Sequence, residues 1–173
     1  MANAYWKYPR TLHCPHSPGT QSDDRLLESL DHLYGKAVVI TEKRDGENTS
    51  LYSDHSHARS LDSQHHESRN WVKQFHGSFA HEIPPGWRIC GENLYAKHSI
   101  YYEDLETYFE GFSIWTDNNT CLGWQATLEF FELFGIKPVP ELFVGILTPG
   151  EGITIYPIQS PALMAYDEEP WRW

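Results

Sequence analysis

Cysteine is scarce in this chain: Cys14, Cys90 and Cys121 are the three among 173 residues, widely spaced, odd in number and without a Cys-x-x-Cys pair. That pattern excludes a disulfide framework and a dithiol redox motif, and it reads as an intracellular protein. Positive charge is short as well: 13 Lys and Arg stand against 24 Asp and Glu, a formal charge of −11. Nucleic-acid affinity rests heavily on cations facing phosphates, so a broad electrostatic grip on a polyanion is excluded and any such contact has to be local. The 10 histidines add little positive charge at neutral pH, and no lysine follows Lys137. No apolar run approaches the ~20 residues of a membrane span, and no charged start followed by an apolar core marks a leader. The expectation is a soluble, cytoplasmic protein with no membrane partner and no defined protein partner. Internal repeats and low-complexity segments are absent. The His13-Cys14-Pro15-His16 cluster and the His65-His66 pair concentrate potential zinc ligands. Neither has the paired spacing that closes a tetrahedral site, so no metal ligands are assigned.

What is present is enough apolar matter for one core. With 40% apolar and 14% aromatic residues and no composition shift along its length, the chain is expected to fold as a single domain over 1–173. A polar, proline-bearing leading segment covers 1–21. Beyond it Leu26, Leu27, Leu30 and Leu33 form one apolar stripe, which predicts a short helix capped by Ser22 or Asp23. Ala37 to Ile40 reads as a buried strand, with Ser50 to Tyr52 and His57 to Leu61 as further strand. The 62–81 stretch sets Trp71, Val72, Phe75 and Phe79 on one helical face, as core. Trp87 to Cys90 and Phe109 to Trp115 read as strands, with Tyr101-Tyr102-Glu103-Asp104 as connector. A last helix, Trp124 to Phe134, ends at Gly135. Strands and helices mixed without regular βαβ alternation predict an α+β domain with antiparallel sheets.

The most informative stretch is Val38-Val39-Ile40-Thr41-Glu42-Lys43-Arg44-Asp45-Gly46-Glu47-Asn48-Thr49. It puts Lys43 where a strand gives way to an Asp-Gly turn, with Thr41 and Lys43 on one face of the strand and Glu42 on the other. Gly46 offers either a positive φ or close approach of a ligand to the backbone. Alone, this pattern is more often a hairpin edge than an active site. Three further segments follow in order: His57-Ala58-Arg59-Ser60-Leu61-Asp62, Gly91-Glu92-Asn93-Leu94-Tyr95-Ala96-Lys97-His98 and Phe109-Glu110-Gly111-Phe112-Ser113-Ile114-Trp115.

Together the four segments resemble the nucleotidyl-acceptor motif and the succeeding motifs of ATP-dependent RNA ligases, in the superfamily that also holds DNA ligases and mRNA capping enzymes. The resemblance implies a nucleotidyltransferase (ligase adenylylation) fold whose sheets enclose an ATP cleft. It implies a reaction in which the Lys43 amine attacks the α-phosphate of ATP to leave a lysyl-AMP. The AMP then passes to an RNA 5′-phosphate and is displaced by a 3′-hydroxyl, so nicked or broken RNA would be joined. It assigns Lys43, Asp45 and Glu92 to catalysis. Nucleotide contacts fall to Thr41, Glu42, Lys43, Gly46, Asn48, Arg59, Glu92 and Phe112, with Phe112 stacking on adenine and Arg59 and Glu92 near the ribose. ATP and Mg²⁺ are the implied cofactors. An unperturbed lysine amine is about 99.9% protonated near neutral pH, so desolvation, a divalent cation or a second cationic side chain has to favour the neutral nucleophile.

The likeness runs over about residues 7–145 and leaves 146–173 as a divergent tail. Family members carry a late Glu-Gly motif and then a lysine pair that grips the α-phosphate. Glu151-Gly152 is a version of the first, or equally a chance turn, and no lysine follows it. The fold is accordingly expected to be C-terminally shortened. Losing a preorganised cationic contact to a transferring phosphoryl group costs about 10²- to 10³-fold in rate, by analogy with lost oxyanion donors. Lys97 is the spare lysine nearest a motif, either a partial substitute or a surface charge. Two function classes therefore stay open: an RNA ligase slowed by the missing pair, and a noncatalytic module binding nucleotide or RNA ends. A GTP-using capping enzyme stands third.

Overall fold

A computed structural model describes residues 5–9, 11–15, 22 and 24–149 in full, and the backbone of 161–165 and 171–172. In chain order its elements are β1 (Ala37–Glu42), β2 (Glu47–Tyr52), β3 (Ser56–Ala58), α1 (Asn70–Gly77), β4 (Arg88–Asn93), β5 (Phe109–Trp115) and β6 (Thr120–Cys121). These are followed by α2 (Trp124–Phe134), β7 (Lys137–Pro138), β8 (Glu141–Ile146), β9 (Pro161–Ala165) and β10 (Trp171–Arg172). The backbone divides into two compact units. The larger gathers Met1–Tyr8, Asp45–Pro138 and Pro170–Trp173, and the smaller gathers Pro9–Arg44 and Val139–Glu169.

The larger unit is a seven-stranded sheet in the order β10-β6-β5-β4-β2-β3, with β7 added to β5. Every pairing is antiparallel except β5 with β7. Alternation along the strands sends Leu51, Ile89, Phe109 and Ile114 to one face, where Val72, Phe79, Phe131 and Phe134 from the helical segments complete the core. Phe109 and Ile114 are five residues apart, so the two-residue period has to break once between them. It breaks at Phe112: Cys90 pairs with Ser113 and Gly91 with Gly111, which leaves Phe112 as the extra residue of a bulge. Gly111 is required beside it, because a Cβ there would lie 2.5 Å from Phe131 Cζ.

The smaller unit is the three-stranded antiparallel sheet β8-β1-β9. Its central strand buries Val38 and Ile40 against Leu33 and Leu147, with Leu30 and Tyr34 at the margin. A β-branched central strand flanked on both edges is the expected arrangement for the run Ala37 to Ile40.

The helix α2 runs from Trp124 and closes on Gly135 at φ 65°, as the glycine signal predicts. Three expectations need correction. The leucine stripe forms no helix. His13 N donates to Arg25 O and Leu27 N donates to His13 O, both at 2.8 Å, and only Asp31–Leu33 makes a 3-10 turn. Backbone groups committed to a neighbouring segment cannot form the i→i−4 ladder, and a helix this short has little cooperativity to compete with. The strand expected to reach Leu61 ends at Ala58, where Ser63 Oγ takes the Ala58 N–H at 3.1 Å and the chain turns. The helix expected within 62–81 is shorter, and Phe79 contributes to the core from beyond its end. Among the described residues, no helix is long and apolar enough to cross a membrane.

Candidate functional site

In the smaller unit the candidates lie at the end of β1. The register of β1 against β8 shifts between Ile40 and Thr41, and the Glu42 N–H then bonds to Pro140 O at 2.8 Å. Thr41 is fully buried, and its hydroxyl has no hydrogen-bond partner among the described residues. Glu42 is half-buried and holds Arg44 through Oε1 at 2.8 Å, so the pair braces the backbone on either side of Lys43. Lys43 itself is exposed, just past the last strand residue.

The larger unit carries Asp45, Gly46, Asn48, Arg59, Glu92, Lys97 and Phe112. Its chain begins again within the same motif, and two of these residues act on the fold directly. Asp45 Oδ2 accepts the N–H groups of Ser99 and Ile100 at 2.7 and 2.8 Å, while Asp45 N donates to the Tyr102 hydroxyl at 2.9 Å. Its carboxylate therefore anchors the loop after β4. Gly46 N donates to Glu92 Oε1 at 3.0 Å. A Cβ at this glycine would sit 2.5 Å from the Asn93 carbonyl oxygen. Its φ is not positive, so glycine is needed here for backbone-on-backbone approach within the protein.

Asn48 pairs with Glu92 across β2 and β4, and Glu92 pairs with Glu110 across β4 and β5, so the three form a row over three strands. The Asn48 carboxamide oxygen is buried without a hydrogen-bond partner among the described residues. Phe112, turned out of the ladder at the bulge, is half-buried and meets the Tyr8 ring edge-on at 5.1 Å. Arg59 is exposed just past β3. Lys97 is exposed, its Nζ 5.8 Å from the centre of the Tyr101 ring. Glu151 lies outside the described residues. The structure thus groups Asp45 with the 99–102 loop and Gly46 and Asn48 with Glu92.

Several residues that shape this face were not singled out from the sequence. Glu47 forks onto Arg69 through both carboxylate oxygens, and the charge-assisted pair raises the Arg69 pKa. Arg88 is 1% exposed, donates to Asn119 Oδ1 at 2.7 Å and lies 4.7 Å from the Trp115 ring centre. Tyr8 lies against Phe112 and Trp115, and burial drives its pKa upward. The signal for Tyr8 was legible: Tyr5, Trp6 and Tyr8 put three aromatics into an otherwise polar leading segment. Nothing in the sequence distinguishes Arg88 from a surface arginine.

The donor and acceptor set on the larger unit suits a nucleoside. It has an aromatic ring released from its strand ladder, a carboxylate paired across adjacent strands with a buried carboxylate, and an amide oxygen with no partner among the described residues. Mixed helices and antiparallel sheets in this order make an α+β fold.

A family model described as RNA ligase matches residues 36–163, and the chain belongs to that family. Solved structures agree on the fold. Two forms of an archaeal ATP-dependent RNA ligase superpose with TM-scores of 0.53 and 0.52, at 18% and 16% identity, over 69% and 68% of this chain. This chain spans 34% of each of those chains, about a third of their length. A Naegleria gruberi RNA ligase mutant solved with ATP and Mn is similar at 18% identity and a TM-score of 0.45, covering 69% of this chain and 40% of that one. A stretch of 33 residues is 80% identical to part of the GTP pyrophosphokinase rsh of Brucella ovis and of Brucella abortus, which is 19% of this chain and 4% of those proteins.

Proposed function

We propose that this protein is an ATP-dependent RNA ligase in which Lys43 carries the AMP. In the first step the neutral Lys43 amine attacks the α-phosphorus of ATP, an N–P bond forms, and the bond to pyrophosphate breaks with its electron pair leaving on that group. An RNA 5′-phosphate oxygen then takes the AMP and returns the electron pair to the Lys43 nitrogen. Finally a 3′-hydroxyl attacks the activated 5′-phosphate, releases AMP and closes the strand, a repair of broken RNA in a cytoplasmic setting. Bound Mg²⁺ supplies charge neutralisation at the phosphates.

The observation that carries this reading is the hydrogen bond from Gly46 N to Glu92 Oε1 at 3.0 Å. It fastens the backbone three residues after Lys43 to the carboxylate expected at the ribose. Glu92 and the partnerless Asn48 oxygen are suited to hydroxyl and amino donors of the nucleoside, and Phe112 supplies a ring face for the base. Arg59 and Lys97 would meet phosphate, Asp45 would hold the motif's turn in shape, and Thr41 and Glu42 would border the nucleotide. Glu151, where the family's late glutamate is expected, completes the set. In this reading both compact units serve one nucleotidyltransferase domain.

A second reading, a noncatalytic module that binds nucleotide or RNA ends, is favoured by one observation: Lys43 is exposed, without the desolvation that would favour a neutral amine. The two separate in one experiment. With ATP and Mg²⁺, intact mass should rise by one AMP in the parent protein and stay unchanged in Lys43→Ala. An adduct that persists in Lys43→Ala refutes the nucleophile, and a parent without adduct favours the binding module.

A further inference from the structure

A cavity of about 280 Å³ lies in the larger unit beside the loop that Asp45 anchors. Four tyrosines line it, Tyr95, Tyr101, Tyr102 and Tyr108, together with Lys97 and Asp45. Three of those rings are far from core-like: Tyr95 is 50% exposed, Tyr101 69% and Tyr108 41%. The placement of Tyr95 and Tyr108 is nonetheless fixed. Tyr95 meets Tyr108 edge-on at 5.2 Å, Tyr108 meets Trp71 at 5.4 Å, and Trp71 packs on the core. The opposite wall is held by Asp45, through the Ser99 and Ile100 N–H groups and the Tyr102 hydroxyl.

We infer that this cavity seats an unpaired base of a single-stranded RNA end, stacked on Tyr95 or Tyr101, with Lys97 on the adjoining phosphate. The inference rests on the RNA ligase reading and names where that enzyme would hold its strand. Three features select the occupant. The volume falls just below the ~300–1,000 Å³ of drug-sized pockets, which suits one base and its sugar. Exposed aromatic faces in a braced wall are the usual platform for single-stranded bases, because every base has a π-face. The charge fits a strand end: Lys97 is the cation in the lining, and Glu103 in the same lining disfavours a second phosphate. On a chain of net charge −11, stacking has to carry the affinity that phosphate contacts carry in basic proteins.

The test is fluorescence anisotropy of a short, 5′-phosphorylated single-stranded RNA against the full chain without ATP, with Tyr95→Leu, Tyr101→Leu and Lys97→Gln. The rings are exposed, and thermal melting by circular dichroism verifies that each variant folds. At least one tyrosine variant, the one that removes the ring carrying the base, should weaken binding by about 5- to 160-fold, the range for loss of one base–aromatic stack. The slope of log affinity against log salt should be shallow, about −0.7 for one phosphate contact on a single strand, and should approach zero in Lys97→Gln. Parent protein that binds no RNA overturns the inference, as does displacement of the RNA by ATP, which would make the occupant a free nucleotide. Unchanged affinity in both tyrosine variants also overturns it and leaves these rings to a protein partner. The assay uses no ATP and AMP loading of Lys43 uses no RNA, so the pocket and the ligase reading can fail separately.

Discussion

Replacing Gly46 by alanine puts one methyl group where the fold has no room for it. The new Cβ would lie 2.5 Å from the Asn93 carbonyl oxygen, 2.9 Å from Leu94 Cδ2 and 3.1 Å from Glu92 Cγ. The first contact is with backbone, so relief requires β2 and the end of β4 to separate. Overpacking of this kind costs about 1–3 kcal/mol. Separation also stretches the bond from Gly46 N to Glu92 Oε1, now 3.0 Å, and a hydrogen bond to a charged group contributes about 1.5–3 kcal/mol. Against these, alanine narrows the unfolded ensemble and stabilises by about 0.4–1 kcal/mol. The net expectation is a loss of about 1.5–5.5 kcal/mol in urea unfolding followed by tryptophan fluorescence, the range these opposing effects leave. The built-in control is Gly77→Ala, at the last residue of α1, where a Cβ meets nothing within 4 Å and φ is not positive. There only the unfolded-state effect remains, and the variant should gain about 0.4–1 kcal/mol. If Gly46→Ala changes stability by less than about 0.5 kcal/mol, the size of an ordinary surface substitution, the steric argument for that glycine is wrong.

Two further outcomes follow from burial in the larger unit. His57 and His76 are both held below the ordinary histidine value of 6.5, chiefly by burial, and His76 Nε2 meets Tyr52 O at 2.6 Å. The unfolded chain therefore binds protons first, so the stability these neutral rings contribute is full above pH 6.5 and is lost as pH falls through their folded values. The melting temperature should drop between about pH 7 and pH 5, and a melting temperature constant over that window would contradict the burial of the rings. Burial also pushes the Cys90 thiol pKa up and the Cys121 thiol up to about 12. Both should resist a disulfide reagent at mildly alkaline pH in the folded protein and react once guanidinium unfolds it; rapid labelling of the native chain would refute this.

Much of this molecule was legible in its residues where local rules and packing agree. Trp124 to Phe134 was readable because Gly135 supplies the left-handed residue that closes a helix. The run Val38 to Ile40 was readable because β-branched residues suit a strand flanked on both sides. The leucine stripe from Leu26 to Leu33 misled for the opposite reason: its periodicity is helical, but His13, distant in sequence, claims the backbone groups a helix would need. At the candidate site, Lys43, Glu92 and Phe112 were singled out by the resemblance of their motifs to those of RNA ligases, whereas the contacts of their neighbours were not readable from it. Gly46 looked like a turn or ligand glycine and proves to be a packing glycine. Asp45 looked like an acid beside a nucleophile, and its carboxylate is engaged with two amides more than fifty residues away in sequence. The exposed tyrosines around Lys97 read as connector because nothing in sequence tells an aromatic wall from a loop.

The bulge at Phe112 has one more implication. Since Cys90 and Gly91 pair with Ser113 and Gly111, residue 112 has no opposite number on β4, and its side chain is uncoupled from the alternation that sorts its neighbours between core and open face. Exchanging that ring for an aliphatic or polar group would leave strand alignment intact. If the proposed nucleotide site is right, position 112 is where base preference can be retuned by one substitution while the strands keep their alignment.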